Sequence, residues 1–278
     1  KLLGKNLFAS TKHMVTNLKR YLTVYVRFLK NSFAVDAEYR FSLLFKNITG
    51  LVWILGALFT LDVIFSQATS VAGWSRAEVS LLYVSFSLSM DFFDLFLRNN
   101  FMKFSSLIRA GGLDWLLLRP INSRFLVSFM SGGLETGMAI RLPVGLYMLY
   151  HFLPLGTPVA NIVLYFVYLA LGNFAVYSFI FALHTLNIWF IKLDNITTLS
   201  QTTFGFTRLP LDSWPKAVQL FLIYIFPMGL LSNYAVLALL GRSTPAHLLT
   251  TIGVCIILFI ASQKFWKFAL CHYSSASS

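Results

Sequence analysis

The sequence predicts an all-α integral membrane protein with six transmembrane helices and an N-terminal amphipathic interfacial helix. Three observations lead there. Hydrophobic residues make up 57% of the 278 and charged residues 12%, about half the ~25% charge of an average soluble domain. So few polar side chains cannot cover a globule of this size. Apolar stretches recur at lengths close to the ~20 residues that a helix needs to cross a bilayer. Basic residues crowd the connections on one side of those stretches.

Residues 1–42 form a basic, moderately apolar leading segment, and residues 43–278 form the transmembrane domain. In "LKRYLTVYVRFLKNSF", Leu18 to Phe33, Leu22, Val26 and Leu29 fall near one helical face while Lys19, Arg27 and Lys30 project elsewhere. That is the pattern of a helix lying at the headgroup surface. Spans are expected at 47–65, 78–97, 125–152 and, after the turn "LPLGTP", at 159–186. The last covers 248–266 and ends in "QKFWKF".

Between Leu186 and Arg242, hydropathy leaves two readings. "AVQLFLIYIFPMGLLSNYAVLALL", 217–240, is the more apolar stretch, but Pro227 and Gly229 stand at its middle, where a helix would break. Alternatively the polar stretch 189–209 crosses, buried among other helices, and 217–240 dips in and returns. Non-helical backbone at that depth must be covered by protein or water. Either reading gives six crossings.

The formal net charge is +12. Because the Lys and Arg residues flank apolar spans, orientation and anionic headgroups account for them, and nucleic acid is not an expected partner. Most of the 22 Lys and Arg residues fall in the N-terminal segment and between the second and third spans (Arg98, Lys103, Arg109, Arg119, Arg124). Arg76, Arg208, Lys216 and Arg242 fall on the other side. Both termini are therefore expected in the cytoplasm of a multi-pass protein of the plasma membrane, the inner membrane in a bacterium. The N-terminal region has no compact apolar core and cleavage site of a signal peptide. Cys255 and Cys271 are too few for a disulfide framework, and the five histidines never fall at ligand spacing, so no metal site is expected.

One connection keeps a hydrophobic run. In "IRAGGLDWLLLRPINSRF", Ile108 to Phe125, Leu113, Leu116 and Leu117 share a helix face. Gly111 and Gly112 permit a sharp start, and Pro120 discourages continuation. Such a helix, bracketed by basic residues, can dock into a groove on a soluble protein or lie on lipid. This segment resembles the Gly-x-Leu-Glu/Asp-x-Leu-Leu-x-x-Pro-Ile/Val-Asn/Ser signature of ABC-2-type transporter permeases. Downstream, "RLPLDSWPKAVQLFLIYIFPMGLLSNYAVLALLGR", Arg208 to Arg242, is similar to the family's Pro-Leu…Pro-x-x-Leu/Val-Gln…Pro stretch. "AGWSRAEV" at Ala72 and the C-terminal "YSSASS" are similar to the branch of that family whose permeases often come in pairs.

The resemblance implies a half-transporter working as a dimer with an identical or sister permease. Its coupling loop, 98–124, would carry a coupling helix that docks on separate ATPase subunits through Leu107, Arg109, Leu113, Asp114, Leu117, Arg119 and Pro120. It also implies the polar fifth span at 189–209 and a re-entrant outer hairpin at 210–245, broken at Pro227 and Gly229. No Gly-x-x-x-x-Gly-Lys-Ser/Thr occurs in the chain. The chain is therefore expected to bind no cofactor, with ATP and Mg held by the partner ATPase.

Ionisable residues inside spans are expensive and point to function. Arg141 is the deepest. Glu135 stands about 9 Å away along a helix but off its face, so each is expected to pair with another helix. They would form part of a substrate path or dimer seam, or a buried structural ion pair. Asp91 and Asp94 share a face, and Arg98 follows Asp94 at i+4, as in a helix-end salt bridge. Thr198, Gln201 and Thr202 give the fifth span a polar face for helix packing, a dimer interface or a path. No Gly-x-Ser-x-Gly, His-Glu-x-x-His or Cys-x-x-Cys occurs, which argues against a membrane-embedded lipid-modifying enzyme. A non-transporting scaffold that recruits a soluble partner is the other alternative. A secondary transporter would show inverted repeats, and none is visible.

Overall fold

A computed structural model describes residues 19–31, 34, 40–130, 138–190 and 204–273. Among these, every regular element is helical, and the β features reduce to one isolated bridge, Val71 to Trp74. The helices are α1 (residues 19–31), α2 (Arg40–Gln67), α3 (Arg76–Phe93), α4 (Asn99–Arg109) and α5 (Gly112–Leu117). They continue as α6 (Ser123–Phe129), α7 (Met138–Phe152), α8 (Val159–Thr185), α9 (Lys216–Leu220), α10 (Asn233–Leu239) and α11 (Pro245–Cys271). Four described helices are long and apolar enough to cross a membrane: Asn47–Gln67, Arg76–Arg109, Val159–Ile188 and Pro245–Cys271. A multi-pass membrane protein follows.

Helix α3 starts at a capping box, in which the Ser75 side chain accepts from the Glu78 N–H and Glu78 accepts from the Ser75 N–H at 2.7 Å. Two orphan donors are thereby satisfied. The helix does not stop at 97 as hydropathy suggests. It passes through a π-helical turn, Asp94–Arg98, into α4, giving one helix of 34 residues. The polar "NNFMK" hides the continuation from a hydropathy window, but Phe101, Phe104 and Ile108 recur at helical spacing and are buried.

The long helix carries two buried clusters. Around its first half Trp74, Leu81, Leu82, Tyr165, Leu230 and Val236 pack together. Around its second half the cluster is aromatic, with Phe93, Phe101, Phe104, Phe181, Phe204 and Trp266. From Phe204 the chain climbs along α3 in the antiparallel sense. Phe204 meets Phe93, Arg208 stands over Phe86, and the Asp212 carboxylate accepts from the Trp74 indole N–H at 3.0 Å.

A bent helix pair follows, Lys216–Ile225 and Pro227–Leu239, meeting at 80°. The break falls at Pro227, which cannot donate into the helix. Asp212 before the pair bonds Trp74, and Arg242 after it pairs with Glu78. Both ends are thus tied to the start of α3, and the bend turns inward from there. Gly172 of α8 allows this seat, because a Cβ there would collide with the Leu230 carbonyl.

Within α1 the packed face differs from the Leu22–Val26 stripe. Tyr21 meets Phe125, and Tyr25 meets Phe96 and Phe129, whereas Leu22 and Val26 face outward. The helix is apolar on two sides, one packed on protein and one exposed.

Candidate functional site

Arg141 on α7 reaches across to α3, where its Nε lies 3.1 Å from the Asp91 carboxylate, and both side chains are largely buried. Gly50 of α2 leaves the space for this, since a Cβ there would collide with the Arg141 side chain. One turn further, the Arg98 guanidinium donates to Asp94 at 2.8 Å. These groups line a cavity of about 420 Å³ that also takes in Arg208 and His184. His184 is buried and stacks on Phe101 at 4.9 Å, and neither ring nitrogen has a hydrogen-bond partner among the described residues.

Three arginines and two aspartates face one space inside the helix bundle. Charges so placed are costly in a membrane unless paired or hydrated, and here one pair joins neighbouring helices, Asp91 to Arg141, while Asp94 and Arg98 pair within the long helix. The π turn at Asp94–Arg98 belongs to the same wall, and such turns are common at functional sites. Sequence reasoning identified Arg141 and assigned it a partner on another helix, and Asp91 is that partner. The sequence puts Arg208 on the outer side, at the end of the expected fifth span, whereas here it stands over Phe86 of α3 and lines the cavity.

The second part of the site is α5. Gly111 enters it with φ +68°, a conformation that an L side chain rarely adopts. Leu113 and Leu116 are 0% and 3% exposed and face the chain's own aromatic cluster. This corrects the expectation that Leu113 belongs to a docking face, because the i, i+3 stripe is needed to hold the helix onto the bundle. Trp115 and Leu118 are instead 74% and 78% exposed, with Leu117 at their edge. Arg109, Arg119 and Pro120 are exposed, and Leu107 and Asp114 half-buried. Beyond α5, Tyr273 lies beside Asp114, whose charge adds to partial burial in raising the tyrosine pKa. The outward Trp115 and Leu118 were readable in the sequence only by asking which residues alternate with the buried pair.

Pro227 and Gly229 are buried at the bend of the helix pair. Glu135, Thr198, Gln201 and Thr202 lie outside the described residues, as does most of the expected fifth span.

Fold and site together define a multi-pass α-helical membrane protein with paired charges between its spans. Residues 51–277 match the ABC-2 family transporter proteins, and the chain belongs to that family. No curated protein and no solved structure matches it. Membership makes it a permease component of an ABC-type transporter, whose kind associates with ABC ATPase subunits.

Proposed function

We propose that this chain is the membrane-spanning half of an ATP-driven exporter, working as a dimer with an identical or sister permease and coupled to separate ATPase subunits. The observation that carries this reading is the tip at α5. It offers a tryptophan and a leucine to solvent while two neighbouring leucines anchor it inside. An exposed apolar helix tip rimmed by Arg109 and Arg119 is suited to a groove on a soluble partner. ATP and Mg reside on that partner, and its movement displaces α5, the long helix and the charged cavity along it.

In this reading the chain crosses the membrane six times with both termini in the cytoplasm. The antiparallel climb from Phe204 to Asp212 supports a crossing between α8 and the bent pair. The attachment of both ends of that pair to the start of α3 supports a re-entrant hairpin capping the outer side.

The test is purification of the tagged protein from its host in mild detergent, with identification of co-purifying chains and an ATP hydrolysis assay. A Walker-motif ATPase is expected in the wild-type sample and is expected to be lost with Trp115→Glu and Leu118→Glu together, without loss of permease stability. Leu113→Ala, by contrast, should destabilise the permease by about 2–5 kcal/mol. Absence of an ATPase under several gentle detergents, or its retention by the double variant, would remove this reading.

A further inference from the structure

A second cavity, about 570 Å³, lies on the opposite side of the long helix from Arg141, between α6, α8, α11 and Tyr21 of α1. Its walls are mostly aromatic, with Phe96, Phe125, Phe129, Phe174 and Phe259 among them, and Arg124 is the one charged residue in them among the described residues. Arg124 is 5% exposed. Its Nε donates to the Tyr177 hydroxyl at 3.2 Å and its Nη1 to the Gln263 carbonyl at 2.9 Å. Among the described residues, Nη2 has no hydrogen-bond partner and no acidic side chain lines the cavity.

The guanidinium is bracketed by the rings of Phe181, Phe259 and Tyr177, at 4.5, 4.8 and 5.2 Å. Ring quadrupoles favour a cation but leave its charge in place. A buried charge without a counter-ion is costly. A second such atom shares the wall: Asn173 donates its amide to the Leu169 carbonyl at 2.9 Å, and its Oδ1 has no partner among the described residues. Asn173 precedes Tyr177 by one turn of α8, so this acceptor stands near the Arg124 guanidinium.

We infer that this cavity binds an acidic glycerophospholipid, its phosphate drawn by Arg124 and its acyl chains lying over the aromatic wall. A buried cation calls for an anion, and the wall specifies an apolar remainder. Phe92, Phe174 and Phe259 at the rim are 47%, 41% and 39% exposed. They lie on helices that cross the membrane, so the mouth opens toward lipid. Free phosphate shares the anionic chemistry but not the apolar part. A headgroup hydroxyl is also suited to donate to Asn173 Oδ1. The site includes α6, which follows α5 directly, and Trp266 donates to Ser123 at 3.1 Å beside it. A bound lipid would therefore brace the junction between the exposed tip and the bundle. The inference rests on the proposed orientation only in placing the lipid in the cytoplasmic leaflet, and lipid binding is measured without any ATPase.

The test is native mass spectrometry of the delipidated full chain in a neutral detergent. It is titrated with phosphatidylglycerol, with phosphatidylcholine of the same chains, and with inorganic phosphate. Phosphatidylglycerol should bind at least about tenfold more tightly than phosphatidylcholine (tenfold being about 1.4 kcal/mol). Arg124→Gln should abolish the preference and Arg124→Lys keep part of it. Ala170→Trp fills the cavity from its exposed rim without touching Arg124 and should lower phosphatidylglycerol binding in a fully folded protein. Equal binding of the two lipids would overturn the inference, as would a preference that survives Arg124→Gln or binding that survives Ala170→Trp. Arg124-dependent binding of inorganic phosphate that displaces the lipid headgroup without acyl chains would assign the site to free anions instead.

Discussion

The two halves of the long helix Arg76–Arg109 are held by different means. Around its first half the contacts are directional. Trp74 bonds Asp212, the Ser89 hydroxyl donates to the Leu231 carbonyl at 3.0 Å, and the Leu211 N–H donates to Asn233 at 2.9 Å. The cavity nearest this end is about 140 Å³. Around the second half the contacts are mostly aromatic faces and edges, and cavities of about 420 and 570 Å³ open on either side of the middle of the helix. Hydrogen bonds to backbone fix one register, whereas stacked rings tolerate sliding at little cost. The Trp74 end is built to keep its shape, and the middle, from Tyr83 to Phe101, to hold charges beside a cavity.

The comparison breaks most severely at the Asp91–Arg141 pair. Asp91→Asn removes the anion beside a largely buried guanidinium, and a loss of about 3–5 kcal/mol is expected, read as thermal unfolding in detergent. Asp91→Leu with Arg141→Met should recover most of that stability, since a buried pair can be replaced by apolar groups of similar volume. If the double variant also keeps ATPase coupling, the pair serves structure alone.

Next in size is Gly172→Ala. Its Cβ meets the Leu230 carbonyl, which is backbone and cannot swing away, so the bent helix pair must shift at about 1–3 kcal/mol. Gly50→Ala sharpens the contrast, because there the Cβ meets the Arg141 side chain, which can move. Thermal unfolding should change less than for Gly172→Ala, while coupled ATP hydrolysis should fall more. Reversal of that order would place the rigid part at the wrong end.

The smallest effect is expected at Arg242–Glu78. Arg242→Gln removes a half-exposed ion pair worth at most about 1 kcal/mol, and the shift should shrink further in high salt.

Much of this was legible in the sequence because the spans are apolar and the basic residues asymmetric. The Asp94–Arg98 pair followed from i+4 spacing, and the partner of Arg141 on another helix followed from geometry. The continuation through "NNFMK" was hidden, since polarity averaged over a window obscures a periodic stripe. Arg124 read as one more positive-inside charge. Nothing local distinguishes a basic residue that points to water from one that turns back among aromatic rings contributed by helices far away in sequence. The facing of α5 reads wrongly from the sequence, which puts Leu113 on the docking face, because "LDWLLL" offers leucines on both sides and only tertiary contact selects the buried pair.

The continuous 34-residue helix has a length consequence. At 1.5 Å per residue it measures about 50 Å, against about 30 Å for the hydrocarbon core of a bilayer. In the proposed orientation, where its first half is tied to the outer end of the bundle, the surplus would emerge as a stalk carrying α5 clear of the lipid. Bilayer thickness then sets how much stalk stands in water. A thicker membrane shortens the reach of the tip, and a thinner one lengthens it or tilts the rod.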